Sequence, residues 1–307
     1  MTVTLKPIHE QVIVITGASS GIGLATAQAA ATRGAKLVLA ARSESTLAEI
    51  VSRIKAAGGE AIFVVADVAD RDQVQRIADA AIEKYGRIDT WINDAGVSIY
   101  GKLDEVSDED SRRLFDTNFW GVVNGSLVAL PHLKRAGGAL LNVGSEVSDA
   151  VVPLQGMYSA SKHAVKGFTD ALRVEQEKVG KANIAITLIQ PTAVDTPYPQ
   201  HARNYTDREP KLPTPQISPE QVAEAILAAA TTHTRDVKVG VQAKINSLLA
   251  RLLPQVSDLL AAFQAGRQHY DEPPRAPEGT LRVPGGTGQI KGSGAKNGSA
   301  AQPQSPA

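Results

Sequence analysis

The sequence predicts a single-domain α/β fold, a doubly wound parallel sheet of about seven strands with helices on both faces. Seven short β-branched runs alternate with longer stretches of helical periodicity, the signature of βαβ units. The runs are apolar nearly throughout, as strands covered on both faces require; a half-exposed antiparallel strand would alternate. The first run opens through a glycine-rich turn directly into a helix.

In chain order the predicted strands are QVIVITG, AKLVLAA, EAIFVVA, DTWINDAG, GALLNVGS, IAITLIQP and DVKVG, starting at residues 11, 35, 60, 89, 138, 184 and 236. Helical stretches lie between them at about 21 to 33, 44 to 57, 70 to 85, 108 to 134, 157 to 179 and 218 to 232. These elements make one domain over residues 1 to 242. Within it, the Pro-rich segment from Thr196 to Ile217 reads as an irregular loop long enough to cover a substrate. Residues 243 to 270 read as an amphipathic helical extension. Ile245, Leu248, Leu249, Leu252, Leu253, Val256, Leu259, Leu260 and Phe263 recur there at helical spacing, and Pro254 predicts a kink. That apolar face suits packing on the domain or on a neighbouring subunit. Attachment to a membrane surface is disfavoured, because Lys244, Arg251 and Arg267 make a sparse basic face. Beyond residue 270, 13 of 37 residues are Gly or Pro and only Leu281, Val283 and Ile290 are large aliphatics, so 271 to 307 is predicted to be a disordered tail.

Composition narrows the function classes. At 43% hydrophobic and 21% charged, the chain has the means to bury a full core. Its net charge of zero argues against a nucleic-acid partner. The absence of cysteine excludes a disulfide framework and a thiolate metal site, and no metal is expected. The N-terminus lacks a basic segment followed by a long apolar stretch, and no run of about 18 apolar residues occurs, so no membrane span and a cytoplasmic protein are expected.

In TGASSGIG, Gly17, Gly21 and Gly23 follow the first strand and open the first helix. Missing Cβ atoms let backbone approach a pyrophosphate, and the helix N-terminus offers unpaired N–H groups to the anion. Such a cluster alone often marks only a turn; between strand one and helix one it points to a Rossmann-type dinucleotide site. The second strand ends at Ala41, Arg42 and Ser43 with no carboxylate for a ribose 2′-hydroxyl, whereas Arg42 can pair with a 2′-phosphate. NADP(H) is therefore preferred, with use of NAD(H) left open.

In GMYSASKHAV, Tyr158 and Lys162 stand four residues apart, and Ser145 lies thirteen residues before the tyrosine. At that spacing on a helix both side chains leave one face, and the ammonium favours the phenolate of a group whose ordinary pKa is near 10. The pair alone also fits a solvated helix face.

Taken together, residues 8 to 241 resemble the classical short-chain dehydrogenase/reductase family. TGASSGIG matches its glycine motif, so the resemblance assigns Gly17, Ser19, Ser20, Gly21, Ile22 and Gly23 to the cofactor. Asp67 and Val68 match the residues that hold the adenine. Asn93, Ala95 and Gly96 match Asn-Asn-Ala-Gly, in which Asp94 replaces the second asparagine with little harm expected. Asn118, Ser145, Tyr158 and Lys162 match the family's catalytic four. Pro191 and Thr192 stand where the family has Pro-Gly, followed by Val194 and Thr196 at the nicotinamide. The threonine is the larger departure, since its side chain would narrow that end of the pocket.

The resemblance implies an NADP(H)-dependent oxidoreductase that interconverts a secondary alcohol and a ketone. Tyr158 acts as acid/base, Ser145 stabilises the oxygen, Lys162 lowers the tyrosine's pKa and binds the nicotinamide ribose, and Asn118 anchors a water leading from Lys162 to solvent. A catalytically silent NADP(H)-binding regulatory module is the alternative; it predicts a damaged catalytic set. Val147, Val151, Val152, Leu154 and Ile99 suggest a partly apolar carbonyl or alcohol substrate, though each is equally suited to a core. Tyr198, His201 and Tyr205 are loop residues left outside the predicted site. A homodimer or homotetramer is expected by analogy with the family, through helices carrying Phe115, Phe119, Trp120, Val165, Phe168 and Leu172.

Overall fold

The computed structural model describes residues 3–285 and 287–292. All seven predicted strands form, as β1 (Val12–Thr16), β2 (Lys36–Ala41), β3 (Glu60–Val65), β4 (Thr90–Asn93), β6 (Ala139–Val143), β7 (Ala185–Pro191) and β9 (Asp236–Val239). They pair in parallel in the order β3-β2-β1-β4-β6-β7-β9. Two short strands, β5 (Ile99–Tyr100) and β8 (Arg203–Asn204), pair beside the sheet.

Side chains of a strand alternate between faces, so one apolar run supplies two cores. Ile13, Ile15, Leu37, Leu39, Leu141 and Val143 pack on one face with Leu24 of α1 (Gly21–Thr32), Leu47 and Ile50 of α2 (Glu44–Ala56) and Ile226 of α8 (Pro219–Ala229). Val14, Val38, Trp91, Leu140 and Ile186 face the other way. They meet Ile77 of α3 (Arg71–Tyr85), Leu133 of α5 (Gly121–Ala136) and Leu172 of α6 (Gly156–Arg173). The order reverses between β1 and β4, which opens a crevice beyond the strands' carboxyl ends.

The stretch predicted as one helix over 108 to 134 is interrupted. After α4 (Asp108–Phe115), residues Asp116–Trp120 form a π turn before α5 begins. The Pro-rich segment holds a short helix, α7 (Tyr198–His201), and β8. The predicted extension folds as two helices, α9 (Val241–Leu252) and α10 (Pro254–Ala265), separated at Leu253 where Pro254 begins the second.

The tail corrects a sequence expectation. Residues 271–285 and 287–292 pack on the domain instead of leaving it; residues 286 and 293–307 of the predicted tail lie outside the described residues. Leu281 is buried with Val97, Ile99 and Leu114. Asn204 N donates to Pro277 O at 2.8 Å, Thr280 N to His201 O at 2.8 Å, and Arg282 Nε to Asp110 Oδ1 at 3.0 Å. A few anchors suffice here because each lands on a partner already fixed by the domain, which lowers the entropy cost that composition alone suggests.

Candidate active site

The cleft beyond the strands' carboxyl ends is walled at one end by the turn between β1 and α1. Gly17 has φ +73°, and a Cβ on it would lie 2.8 Å from the backbone of Ala95. This is a cradle that a side chain would fill, and with the α1 N-terminus beside it the wall fits a dinucleotide pyrophosphate. Ser19, Ser20, Gly21 and Ile22 line the same wall, followed by Arg42, Asp67, Val68, Ala95 and Gly96, then Pro191, Val194 and Thr196.

Three assigned residues lie behind this surface. Gly23 does not line the cleft: a Cβ there would come within 2.4 Å of Gly17 O, so its smallness seats α1 against the turn. Asn93 is also turned away. Its amide accepts from Trp91 Nε1 at 2.8 Å and donates to Asn142 Oδ1 at 2.8 Å inside the core. Asn118, aimed by the π turn, is fully buried rather than cleft-lining. It accepts from Val97 N at 2.8 Å and donates to Val97 O at 2.9 Å and Ser161 Oγ at 3.1 Å, fixing the backbone behind Gly96. Motif spacing alone does not show which face of a helix start, a strand end or a π turn meets the cleft.

The remaining three of the four meet at the cleft. Tyr158 and Lys162 leave one face of α6, with the ammonium 5.6 Å from the phenol ring centroid. Ser145 caps a 3-10 turn, Glu146–Ser148, accepting from Val147 N at 3.3 Å, and its hydroxyl stands near enough to the Tyr158 phenol to favour the phenolate. Burial pushes that phenol up to about 12, opposed by the nearby hydroxyls of Ser145 and Tyr198. Desolvation is the largest influence on this phenol, and Lys162 Nζ donates to Val143 O at 2.8 Å. Burial lowers the lysine itself to about 8, while Asp94 raises it.

Asp94 is a larger departure than the sequence suggested. Its carboxyl lines the cleft beside Gly23, and is pushed up by burial to about 7 against the pull of Lys162. Thr192 also lines the cleft, with Oγ1 donating to Glu146 Oε2 at 3.0 Å. The suggested apolar wall is partly corrected. Val147, Val151 and Val152 line the cleft, but Ile99 is in a buried cluster and Leu154 is outside the lining.

Tyr198 and His201, set aside on sequence, line the cleft. Tyr198 Oη lies within hydrogen-bond distance of Ser98 Oγ at 2.7 Å and Gln155 Oε1 at 2.8 Å, and its ring sits edge-on to Tyr158 at 5.4 Å. Tyr205 is elsewhere, bonded to Asp110 Oδ2 at 2.8 Å. The extension also enters the site, through Asn246, Leu249, Ser257, Leu260, Ala261 and Gln264. The tail reaches the cofactor wall: Gly21 N donates to Gln289 O at 2.9 Å, and Arg42 donates to the carbonyls of Thr280 and Leu281. Among the described residues no cluster of potential metal ligands occurs, and no helix is long and apolar enough to cross a membrane.

Comparison with known proteins agrees with this geometry. A family model described as short chain dehydrogenase matches residues 11–206. An uncharacterized oxidoreductase, YxnA of Bacillus subtilis (strain 168), is 45% identical over 288 residues, spanning 92% of this chain and 81% of that protein. Among solved structures, a short chain dehydrogenase/reductase from Burkholderia phymatum in complex with NAD is 30% identical, with TM-score 0.72 over 80% of this chain and 94% of its own. An alcohol dehydrogenase from Thermococcus sibiricus complexed with 5-hydroxy-NADP is 28% identical, with TM-score 0.66 over 75% and 95%.

Proposed function

The chain belongs to the short-chain dehydrogenase family, and on that premise we propose that it is an NADP(H)-dependent oxidoreductase interconverting a secondary alcohol and a ketone, with Tyr158 as acid/base. The observation that carries this reading is the meeting of Tyr158, Ser145 and Lys162 in one cleft with the glycine cradle and Arg42.

When bound, the nicotinamide supplies or accepts the hydride. Tyr158 gives a proton to the substrate oxygen in reduction and takes it back in oxidation. Ser145 donates to the same oxygen, where charge grows in the transition state, so its bond strengthens when it matters for rate. Lys162, held by Val143 O, keeps a positive charge beside the phenol and an ammonium in reach of the ribose. Asn118 acts one step back, by holding Val97 and the loop around Gly96. Arg42 favours a 2′-phosphate over a bare ribose hydroxyl, while Asp67 and Val68 border the adenine end.

The regulatory alternative calls for a damaged catalytic set, and all four residues are present. The test is a panel of ketones and secondary alcohols followed by NADPH consumption or NADP reduction. Turnover of at least one class is expected; tight NADPH binding with complete inactivity would favour the regulatory module. We propose a homodimer or homotetramer by analogy with the family, and a cytoplasmic location on the sequence reading alone. Equilibrium sedimentation should return two or four chains, and a monomer would contradict it.

A further inference from the structure

Directly after Ser145 stands a carboxyl that the proposed hydride transfer does not use. Glu146 lines the cleft, and Oε2 accepts two hydrogen bonds, from Thr192 Oγ1 at 3.0 Å and Asn246 Nδ2 at 3.0 Å. Both bonds fall on one oxygen. Among the described residues no lysine, arginine or histidine forms an ion pair with it. Val147, Val151, Val152, Leu249 and Leu260 line the same cleft, and burial pushes the carboxyl up from the usual range.

A half-buried carboxyl with only neutral donors carries a desolvation cost that no paired cation offsets. Tying α9 to the turn after Ser145 needs a single acceptor, and an amide would serve without that penalty. A carboxyl with a second oxygen beside the reacting centre is instead suited to recognising a ligand. Sites built to hydrogen-bond a substrate hydroxyl discriminate strongly against analogues lacking it, because the protein group is then left unpaired.

Resting on the oxidoreductase reading above, we propose that Glu146, held by Thr192 and Asn246, selects substrates that carry a hydroxyl beside the reacting carbon on a mainly apolar body. The preferred class is then hydroxy ketones and the corresponding diols. The hydroxyl donates to Glu146 while the carbonyl oxygen faces Tyr158 and Ser145, and the alkyl body lies along the valines and the α9–α10 helices.

The test uses the full chain with NADPH and three ketones of one chain length: 1-hydroxyoctan-2-one, 1-methoxyoctan-2-one and octan-2-one. The methoxy compound keeps the electron-withdrawing oxygen but donates no hydrogen bond. The hydroxy ketone is expected to exceed both others in kcat/KM by about 10- to 100-fold. Glu146→Leu is expected to bring the three together, and Glu146→Gln, which retains an acceptor, to keep part of the preference. NADPH affinity, read by fluorescence, checks that both variants fold. Equal rates in the unsubstituted protein, or a preference surviving Glu146→Leu, would overturn this assignment and leave the oxidoreductase reading intact. Inactivity on all three ketones, with NADPH bound, would overturn this assignment; only inactivity across the wider panel would count against the oxidoreductase reading.

Discussion

Tyr158 sits in surroundings that oppose its ionisation, and its neighbours set its working range. Lys162, lowered to about 8 by burial, loses its proton as pH rises through that value. Ketone reduction is therefore expected to fall above about pH 8, and a pH profile of kcat/KM checks it. Asp94 raises the Lys162 pKa, so Asp94→Asn should move this alkaline limb to lower pH; an unmoved limb would contradict the coupling. Much of this site was legible from residues alone. Tyr158 and Lys162 are fixed by helix spacing, and the glycine turn by its place after β1. Tyr198 was not legible, because its position depends on how an irregular loop folds back over α6. Asn93 and Asn118 were recognised but not their aim, since motif spacing does not say which side of a strand end or of a π turn meets the cleft.

At the scale of elements, one carboxylate ties the turn after Ser145 to three others. Asp149 accepts from Lys166 of α6, Lys238 of β9 and, at 2.9 Å, Gln190 Nε2 of β7. These bonds hold its pKa below the ordinary 3.8 despite partial burial. Because the folded-state value is depressed, the stability it contributes is present above about pH 3.8 and is lost as pH falls further. Asp149→Asn should cost roughly 1 to 3 kcal/mol at pH 7, after allowance for partial exposure, with the deficit shrinking in acid. Urea unfolding at pH 7 and pH 3 measures both. The central strands were legible because they are buried on two faces and so apolar throughout, and the half-buried edge strands β3 and β9 by their β-branched runs. The π turn at Asp116–Trp120 was not, because one wider turn barely disturbs a helical pattern.

Across the whole molecule, the segments added after β9 close the cleft from two sides. The α9–α10 pair brings Asn246 to Glu146, and the tail lays the carbonyls of Thr280, Leu281 and Gln289 on Arg42 and the Gly21 N–H. Composition read the tail as free chain because its anchors are backbone carbonyls and single side chains, which leave no periodic trace. A 2′-phosphate on Arg42 would compete with the Thr280 and Leu281 carbonyls for its guanidinium. Adding NADP to the full chain should therefore speed hydrogen exchange over residues 278–285, as read by mass spectrometry; added protection would show that the tail clasps the nucleotide instead. The whole account turns on the phenol that α6 presents to the cleft. Its most direct test is Tyr158→Phe, assayed on the best ketone of the panel together with NADPH binding. The account predicts a loss of kcat of about 100- to 10,000-fold with NADPH affinity unchanged, and turnover retained near the unsubstituted rate would contradict it.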